Sequence, residues 1–309
     1  MYPFMTTTQY TIRNYQDHDA NQIAAFDVTA MLAYRYNRDY EQQNVFCAVD
    51  SNDHIVGVGH IVPDQTWSEI EHSNQPSDFV YQLNIDISLN EESPPPENVN
   101  GELLKCLLNR GRELRAGYPD KKVRVTHTIS SDDLEEIDFY LSKGFGTHRT
   151  HLLMKRDLRE DIEEYSLPGN LVIKRWEMET QAEEEQYLAA EAKGDLYGVS
   201  WSLNHLRWTK NGGEWDTFTV FNGNEVVGSV MTWGLGEERS ATENIFVLPE
   251  WRRKGIAKAV ITKALLFLKD NGKSEATLGV FGDNGRAISL YESLGYRMFS
   301  IHLEFGKDL

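Results

Sequence analysis

The fold class predicted for this chain is α/β (α+β), as two tandem units that each hold a mixed, mostly antiparallel central sheet flanked by helices. Three observations predict it. The chain has 309 residues, beyond the size at which one hydrophobic core usually stops growing, so two domains of ordinary size are expected. Hydrophobic periodicity gives the element order β-α-β-β-β-α-β-α-β twice. The run Phe139-Tyr140-Leu141-Ser142-Lys143-Gly144-Phe145 also matches Leu290-Tyr291-Glu292-Ser293-Leu294-Gly295-Tyr296 in type and spacing, as an internal duplication would leave it.

In the first half an alternating strand over 10–14 precedes a helix over 19–34, in which Ile23, Phe26, Ala30 and Ala33 recur at helical spacing. Strand-like runs at 45–49, 54–62 and 79–89, parted by turn residues such as Asp50, Ser51 and Asn52, read as an antiparallel meander. A loop over 90–100 leads to a helix over 101–114, a strand over 123–129, a helix over 132–143 and a closing strand over 148–154. The second half repeats the order: a strand over 171–176, helices within 180–208, strands over 215–221, 225–233 and 242–247, a helix over 254–269, a strand over 276–281, a helix over 286–293 and a last strand near 299–305. Between the halves, residues 157–170 are charged and then carry Pro168 and Gly169, the composition of an exposed linker. The division is placed at 1–160 and 161–309, with the boundary near Ser166.

Hydrophobic residues at 40% and charged residues at 26% suffice for a packed core in each half. A net charge of -17 argues against nucleic acid as a partner, because phosphate backbones are bound by clustered Lys and Arg, and it suits either solubility alone or a cationic acceptor such as an amine. Cys47 and Cys106 have neither CxxC nor ligand-like spacing, so no metal and no disulfide are expected. No apolar run reaches the ~20 residues that span a bilayer, and residues 1–14 lack a signal-peptide core, so the expected place is the cytoplasm, without membrane. His148 and His151, three apart on a strand, fall on opposite faces and suit no shared metal.

The strongest local signal is Arg252-Arg253-Lys254-Gly255-Ile256-Ala257, between the apolar strand end 245–247 and a helix with Ile256, Val260, Ala264, Leu265 and Leu268 inward. The first N–H groups of a helix lack intrahelical partners and sit at the positive end of its dipole, so an anion is stabilised there. Gly255 lets a phosphate approach the main chain, small Ala257 keeps the turn open, and three cations supply countercharge. Glu243, four residues before Val247, is placed on the same strand face and is the candidate base. Glu237 and Glu238 in the preceding loop are reserve bases or contacts to an acceptor ammonium. Of Trp201, Trp208, Trp215 and Trp233, which suit a core as well as a pocket, Trp233 ends a strand beside the proposed site.

These motifs resemble the GNAT superfamily of N-acetyltransferases. Its signature of Arg or Gln, two residues, Gly, one residue, then Gly or Ala is filled by Arg252, Gly255 and Ala257. Its continuation falls on Asn284, Ala287, Tyr291, Gly295 and Tyr296. The resemblance covers essentially all of the second half. It implies acetyl-CoA as co-substrate and no metal, with residues 252–257 on the pyrophosphate and the main chain of Phe246 and Val247 on the pantetheine amides. Asn284, also a helix cap by its position, would bond the coenzyme arm. Tyr291 would face the sulfur and protonate the departing thiolate. The first half departs from the pattern: Glu91, Glu92, Glu97 and Pro94 to Pro96 stand where the cations and N–H donors would be. The layout resembles tandem members of the superfamily such as mycothiol synthase, with a weakened first domain. The implied activity is direct transfer of acetyl to a small-molecule or peptide amine in a ternary complex, by a monomer or homodimer. The alternative is a non-catalytic acyl-CoA-binding or sensing module.

Overall fold

The computed structural model describes residues 10–71, 75–91, 98–195 and 198–309. Its contacts gather into two compact units, Met1–His127 with Gly306–Leu309, and Thr128–Phe305.

The first unit comprises β1 (Tyr10–Asn14), α1 (Ala20–Ile23), α2 (Val28–Tyr36), β2 (Val45–Asp50), β3 (Ile55–Pro63), β4 (Val80–Leu89), α3 (Val99–Ala116) and β5 (Lys122–Ser130). Strands β1 to β4 form the expected antiparallel meander and β5 joins β4 in parallel. The helix expected over 19–34 is broken. Asp27 accepts the Ala30 N–H at 2.8 Å and so starts a new helix, the role in which Asp is favoured over a helix interior. Leu103 and Leu107 of α3 are fully buried with Val58 and Ile61 of β3. Of the acidic, proline-rich segment, residues 92–97 lie outside the described residues.

The second unit comprises α4 (Leu134–Ser142), β6 (Gly146–Asp157), β7 (Val172–Arg175), α5 (Gln181–Gly194), α6 (Leu203–Lys210), β8 (Asp216–Asn222), β9 (Glu225–Gly234), β10 (Arg239–Val247), α7 (Ile256–Asp270), β11 (Glu275–Phe281), α8 (Gly285–Ser293) and β12 (Arg297–Asp308). Its strand order is β12-β6-β11-β10-β9-β8-β7. Strand β6, read from sequence as closing the first half, pairs antiparallel with β11 from Asp157↔Glu275 to His151↔Phe281 and so belongs to this unit.

One face of this sheet carries α7. Ile256, Val260, Ala264, Leu265 and Leu268, inward by their spacing, are all buried there with Val230, Leu278 and Val280. A second cluster packs Tyr187 and Ala190 of α5 and Leu206 of α6 with Met231 and Phe246. Helix α5 starts in a capping box, Thr180 accepting the Glu183 N–H while Glu183 accepts the Thr180 N–H at 3.0 Å. Leu265 has no exposed surface. Leu265→Ala is therefore expected to remove about 2–5 kcal/mol of stability, read as a lower urea midpoint at unchanged m-value.

His148 and His151 are not parted as strand alternation suggests. Both rings approach Glu304 of β12, His151 Nε2 at 3.0 Å from one oxygen and His148 Nε2 at 3.9 Å from the other. The stretch paired with β11 starts only at His151, so that ladder does not fix the position of His148. Among the described residues no group of three His, Cys, Asp or Glu is arranged to hold a metal, and no helix is long and apolar enough to cross a membrane.

Candidate active site

Strands β10 and β11 pair in parallel only from Arg239↔Glu275 to Ala241↔Thr277, although β10 runs on to Val247 and β11 to Phe281. Past that point the two strands part, and main-chain groups that would have met across a ladder face a cleft. Side chains bridge its root. Thr242 Oγ1 donates to the Thr277 carbonyl at 3.1 Å and lies 2.6 Å from the Tyr296 hydroxyl. Glu243 Oε1 accepts the Gly279 N–H at 2.9 Å.

The Glu243 carboxyl is partly buried, and desolvation pushes its pKa up to about 7 against the pull of the Gly279 N–H. Tyr291 of α8 is buried, and its phenol is raised well above the usual value, first by burial and then by the Glu243 charge. The two groups thus sense one another. A carboxyl that titrates near neutrality beside a phenol that keeps its proton is a base and acid pair suited to moving one proton at each end of a reaction.

The strand carrying Glu243 is irregular. Its register with β9 jumps from Glu243↔Met231 to Phe246↔Ser229, so Asn244 and Ile245 together oppose only Val230. This extra residue reverses the alternation and corrects the sequence reading of a face shared by Glu243 and Val247. Met231, opposite Glu243, and Phe246 both pack with α5 and α6, whereas Val247 packs in the α7 core. The Phe246 ring is buried, 5.5 Å from that of Tyr187, so only its main chain can meet a ligand.

Beyond Val247 a turn at Pro249–Trp251 leads into the basic segment. Arg253 (φ 60°) and Gly255 (φ 81°) are both left-handed, and Gly255 stands immediately before α7. The first bond across that junction is Ala259 N–H to the Gly255 carbonyl at 3.0 Å. The N–H groups of Ile256, Ala257 and Lys258 therefore have no intrahelical acceptor, and the left-handed turn before them forms the kind of concavity that holds anions. Buried Ile256 anchors this helix start in the core.

The three cations do not act alike. The Arg252 guanidinium is turned onto carbonyls, Nε to Val247 at 3.0 Å and Nη2 to Gly194 at 2.6 Å, tying the loop to the ends of β10 and α5. Exposed Arg253 and Lys254 remain as countercharge, with Lys254 Nζ 4.6 Å from the Trp251 ring centre. Asn284 caps α8, its Oδ1 accepting the Ala287 N–H at 3.2 Å, and its side chain is exposed.

Trp233 pairs with Ala241, two positions from the Met231↔Glu243 pair, and its ring lies 6.4 Å from that of Trp201. Trp176, Trp201, Trp215 and Trp233 are all partly buried against the α5 and α6 cluster. Glu237 and Glu238 precede the start of β10, at the opposite end from the basic segment. Glu238 is five residues before Glu243, roughly 16 Å along a strand. The main chain there is held by Lys273 Nζ on the Glu237 carbonyl at 3.0 Å and by Ser274 N–H on the Glu238 carbonyl at 2.9 Å.

Sequence reading missed Thr242 at the root of the cleft, and Tyr187, Glu191 and Asn244 behind it, and named Tyr296 there only as a motif position. One signal was present: Asn is disfavoured inside strands and tolerates left-handed backbone, so Thr-Glu-Asn-Ile-Phe-Val announced a bulge.

Residues 157–296 match the sequence model of the acetyltransferase (GNAT) family. An acetyltransferase of Sodalis glossinidius is 41% identical over 85 residues, 28% of this chain and 59% of that protein. The mycothiol acetyltransferase of Nocardiopsis dassonvillei is 39% identical over 64 residues, 21% of this chain and 19% of that protein. The matches thus span less than two thirds of the length of these relatives. Among solved structures, a tandem GNAT protein from the clavulanic acid biosynthesis pathway has a TM-score of 0.65 at 12% identity, covering 97% of this chain and 98% of that one. That likeness speaks for the fold alone, and it is the mixed, mostly antiparallel sheet flanked by helices that the sequence predicts. Residues 157–296 thus resemble the acetyltransferase (GNAT) family in sequence, and the solved structures add a likeness of fold.

Proposed function

We propose that the protein is an N-acetyltransferase that moves acetyl from acetyl-CoA to an amine within a ternary complex, with the coenzyme held by residues 161–309. The observation that carries this reading is the cleft where β10 and β11 part, with Glu243 and Tyr291 at its root and the unpaired N–H groups of α7 beyond the end of β10.

The pyrophosphate lies on the segment 252–257 at the free N–H groups that start α7, with Arg253 and Lys254 as countercharge. The pantetheine arm then runs beside the last residues of β10, its amides bonding the main chain of Phe246 and Val247, with Asn284 on the arm's other side. The lone pair of the neutral acceptor amine attacks the thioester carbonyl, whose oxygen is polarised by the Val247 N–H, and Glu243 takes the proton that the nitrogen sheds, directly or through water. As the C–S bond breaks, Tyr291 protonates the sulfur, so the products are an amide and free thiol. Trp233 forms part of the acceptor wall. The acidic chain favours acceptors that arrive as cations.

Incubation with acetyl-CoA and a panel of primary amines, including small diamines, an aminoglycoside, amino acids and a peptide, is expected to release free thiol with at least one acceptor. Stoichiometric acetyl-CoA binding without thiol release for any amine would replace this reading by that of an acyl-CoA-binding or sensing module.

A further inference from the structure

Behind the cleft, α5 presents two polar groups one helical turn apart, Tyr187 and Glu191, which therefore share a helix face. Both grip the same side chain. The Tyr187 hydroxyl donates to Asn244 Oδ1 at 2.7 Å, and Asn244 Nδ2 donates to Glu191 Oε1 at 2.6 Å. Donor and acceptor thus match the oxygen and nitrogen of one amide, fixing its orientation. Asn244 is the residue whose main chain is left-handed, at φ 48°, inside the bulge that inverts the alternation of β10.

We propose that Tyr187, Glu191 and Asn244 form a lock on the bulge of β10 and are positioning residues for acyl transfer, because the bulge decides which groups of β10 face the cleft. This inference rests on the coenzyme reading given above. Removal of the extra residue would put Ile245 where the Phe246 ring meets α5, and would turn the main-chain groups of Phe246 and Val247 to the opposite edge. A strand without a left-handed residue is the ordinary preference of the chain, and the side-chain grip holds it off.

Four features fit a lock better than incidental packing. Glu191 accepts from two donors at once, Asn244 Nδ2 on one oxygen and the Trp201 N–H on the other at 3.2 Å, so only a carboxylate satisfies both and Gln cannot. Burial pushes that carboxyl up to about 7, so keeping it ionised costs stability that an apolar residue would not. The Tyr187 phenol is raised well above its usual value by burial and by Glu191, which keeps it a donor. Through Trp201 the same carboxylate reaches the aromatic group around Trp233, so the lock ties the coenzyme side of β10 to the acceptor side.

The test uses the full-length protein and the variants Tyr187→Phe, Glu191→Gln, Asn244→Val and Asn244→Gly, with three readouts taken well below their melting temperatures. These are amide hydrogen exchange of the 242–248 segment, acetyl-CoA affinity by calorimetry, and kcat against KM for any acceptor that turns over. Glu191→Gln and Asn244→Val are expected to speed exchange in that segment and weaken acetyl-CoA binding at least tenfold. Asn244→Gly, which takes a left-handed backbone without a side chain, should recover most of the affinity lost in Asn244→Val. Exchange and affinity like wild type in Glu191→Gln and Tyr187→Phe, with only a lower melting temperature, would overturn the proposal. If the wild type itself binds no acetyl-CoA, the coenzyme reading falls and with it the positioning role, while exchange in the 242–248 segment still decides whether the grip exists.

Discussion

Glu243→Gln is expected to lower kcat by about 10²–10⁴-fold, the usual contribution of a positioned acid–base group, and to abolish a rise in rate centred near pH 7. Gln can still accept the Gly279 N–H through its carbonyl oxygen, so the root of the cleft stays bridged and the loss is one of proton transfer. The direction of the pH effect follows from the burial of Glu243. Its carboxyl is pushed up to about 7, and only the ionised form is a base, so the rate climbs as pH rises through that value. Acceptors of different basicity, assayed from pH 5.5 to 9, separate this limb from deprotonation of the amine itself. A limb that survives in the Gln variant would remove Glu243 from the base role. Stability moves the other way. Because the folded-state value lies above that of an unfolded Glu, the stabilising contribution of the neutral form is present below about pH 4.5 and is lost as pH rises through 7. The Gln variant should therefore gain in melting temperature relative to wild type between pH 5 and pH 8, while its catalysis is worst.

Gly255→Asp is expected to leave the fold intact and weaken acetyl-CoA binding more than 100-fold. No other heavy atom lies within 4 Å of where a Cβ would stand at Gly255, so the substitution has room. Asp is among the few residues that tolerate a φ near 81°, and a carboxylate at the start of α7 is favoured by the helix dipole. The same carboxylate occupies and repels the place of the pyrophosphate. Loss of two charge-assisted hydrogen bonds, at about 1.5–3 kcal/mol each, gives the stated change in Kd. Calorimetric titration is the check: about one coenzyme per wild-type chain and none for the variant, with melting temperatures within a few degrees. Equal binding by both would move the phosphate site elsewhere. Arg252→Glu is a poorer probe, since that guanidinium also ties Val247 to Gly194.

Much of this was legible because the signals are local. Ile256, Val260, Ala264, Leu265 and Leu268 announce α7 by spacing alone, and Gly255 before them announces a left-handed start. Tyr291 and Glu243 were singled out by motif and strand position, and the Glu243 charge acts on the Tyr291 phenol. What was not legible depends on partners distant in the chain. Glu191 and Tyr187 look like ordinary polar residues of an amphipathic helix until Asn244, more than fifty positions on, is folded against them. Arg252 looks like a free cation until the ends of α5 and β10 supply its carbonyls. The parity argument from Glu243 to Val247 failed for one reason: a single inserted residue reverses every face after it. Glu237 and Glu238 are near Glu243 in sequence, but along an extended strand that nearness becomes distance in space.

The pairing of β6 with β11 also sets a schedule for biosynthesis. Asp157 leaves the ribosome long before Phe281, a gap on the order of ten seconds at usual translation speeds, and through that interval the edge of β6 has no β11 to pair with. The first unit waits as well, since Leu309 N–H bonds the Val123 carbonyl at 3.0 Å and Asp308 holds Arg124 at 2.6 Å. The first unit thus needs residues translated after the second, so the two units cannot close in the order of the sequence. The exposed strand edges of the nascent chain would then be the part of this protein that most needs chaperones.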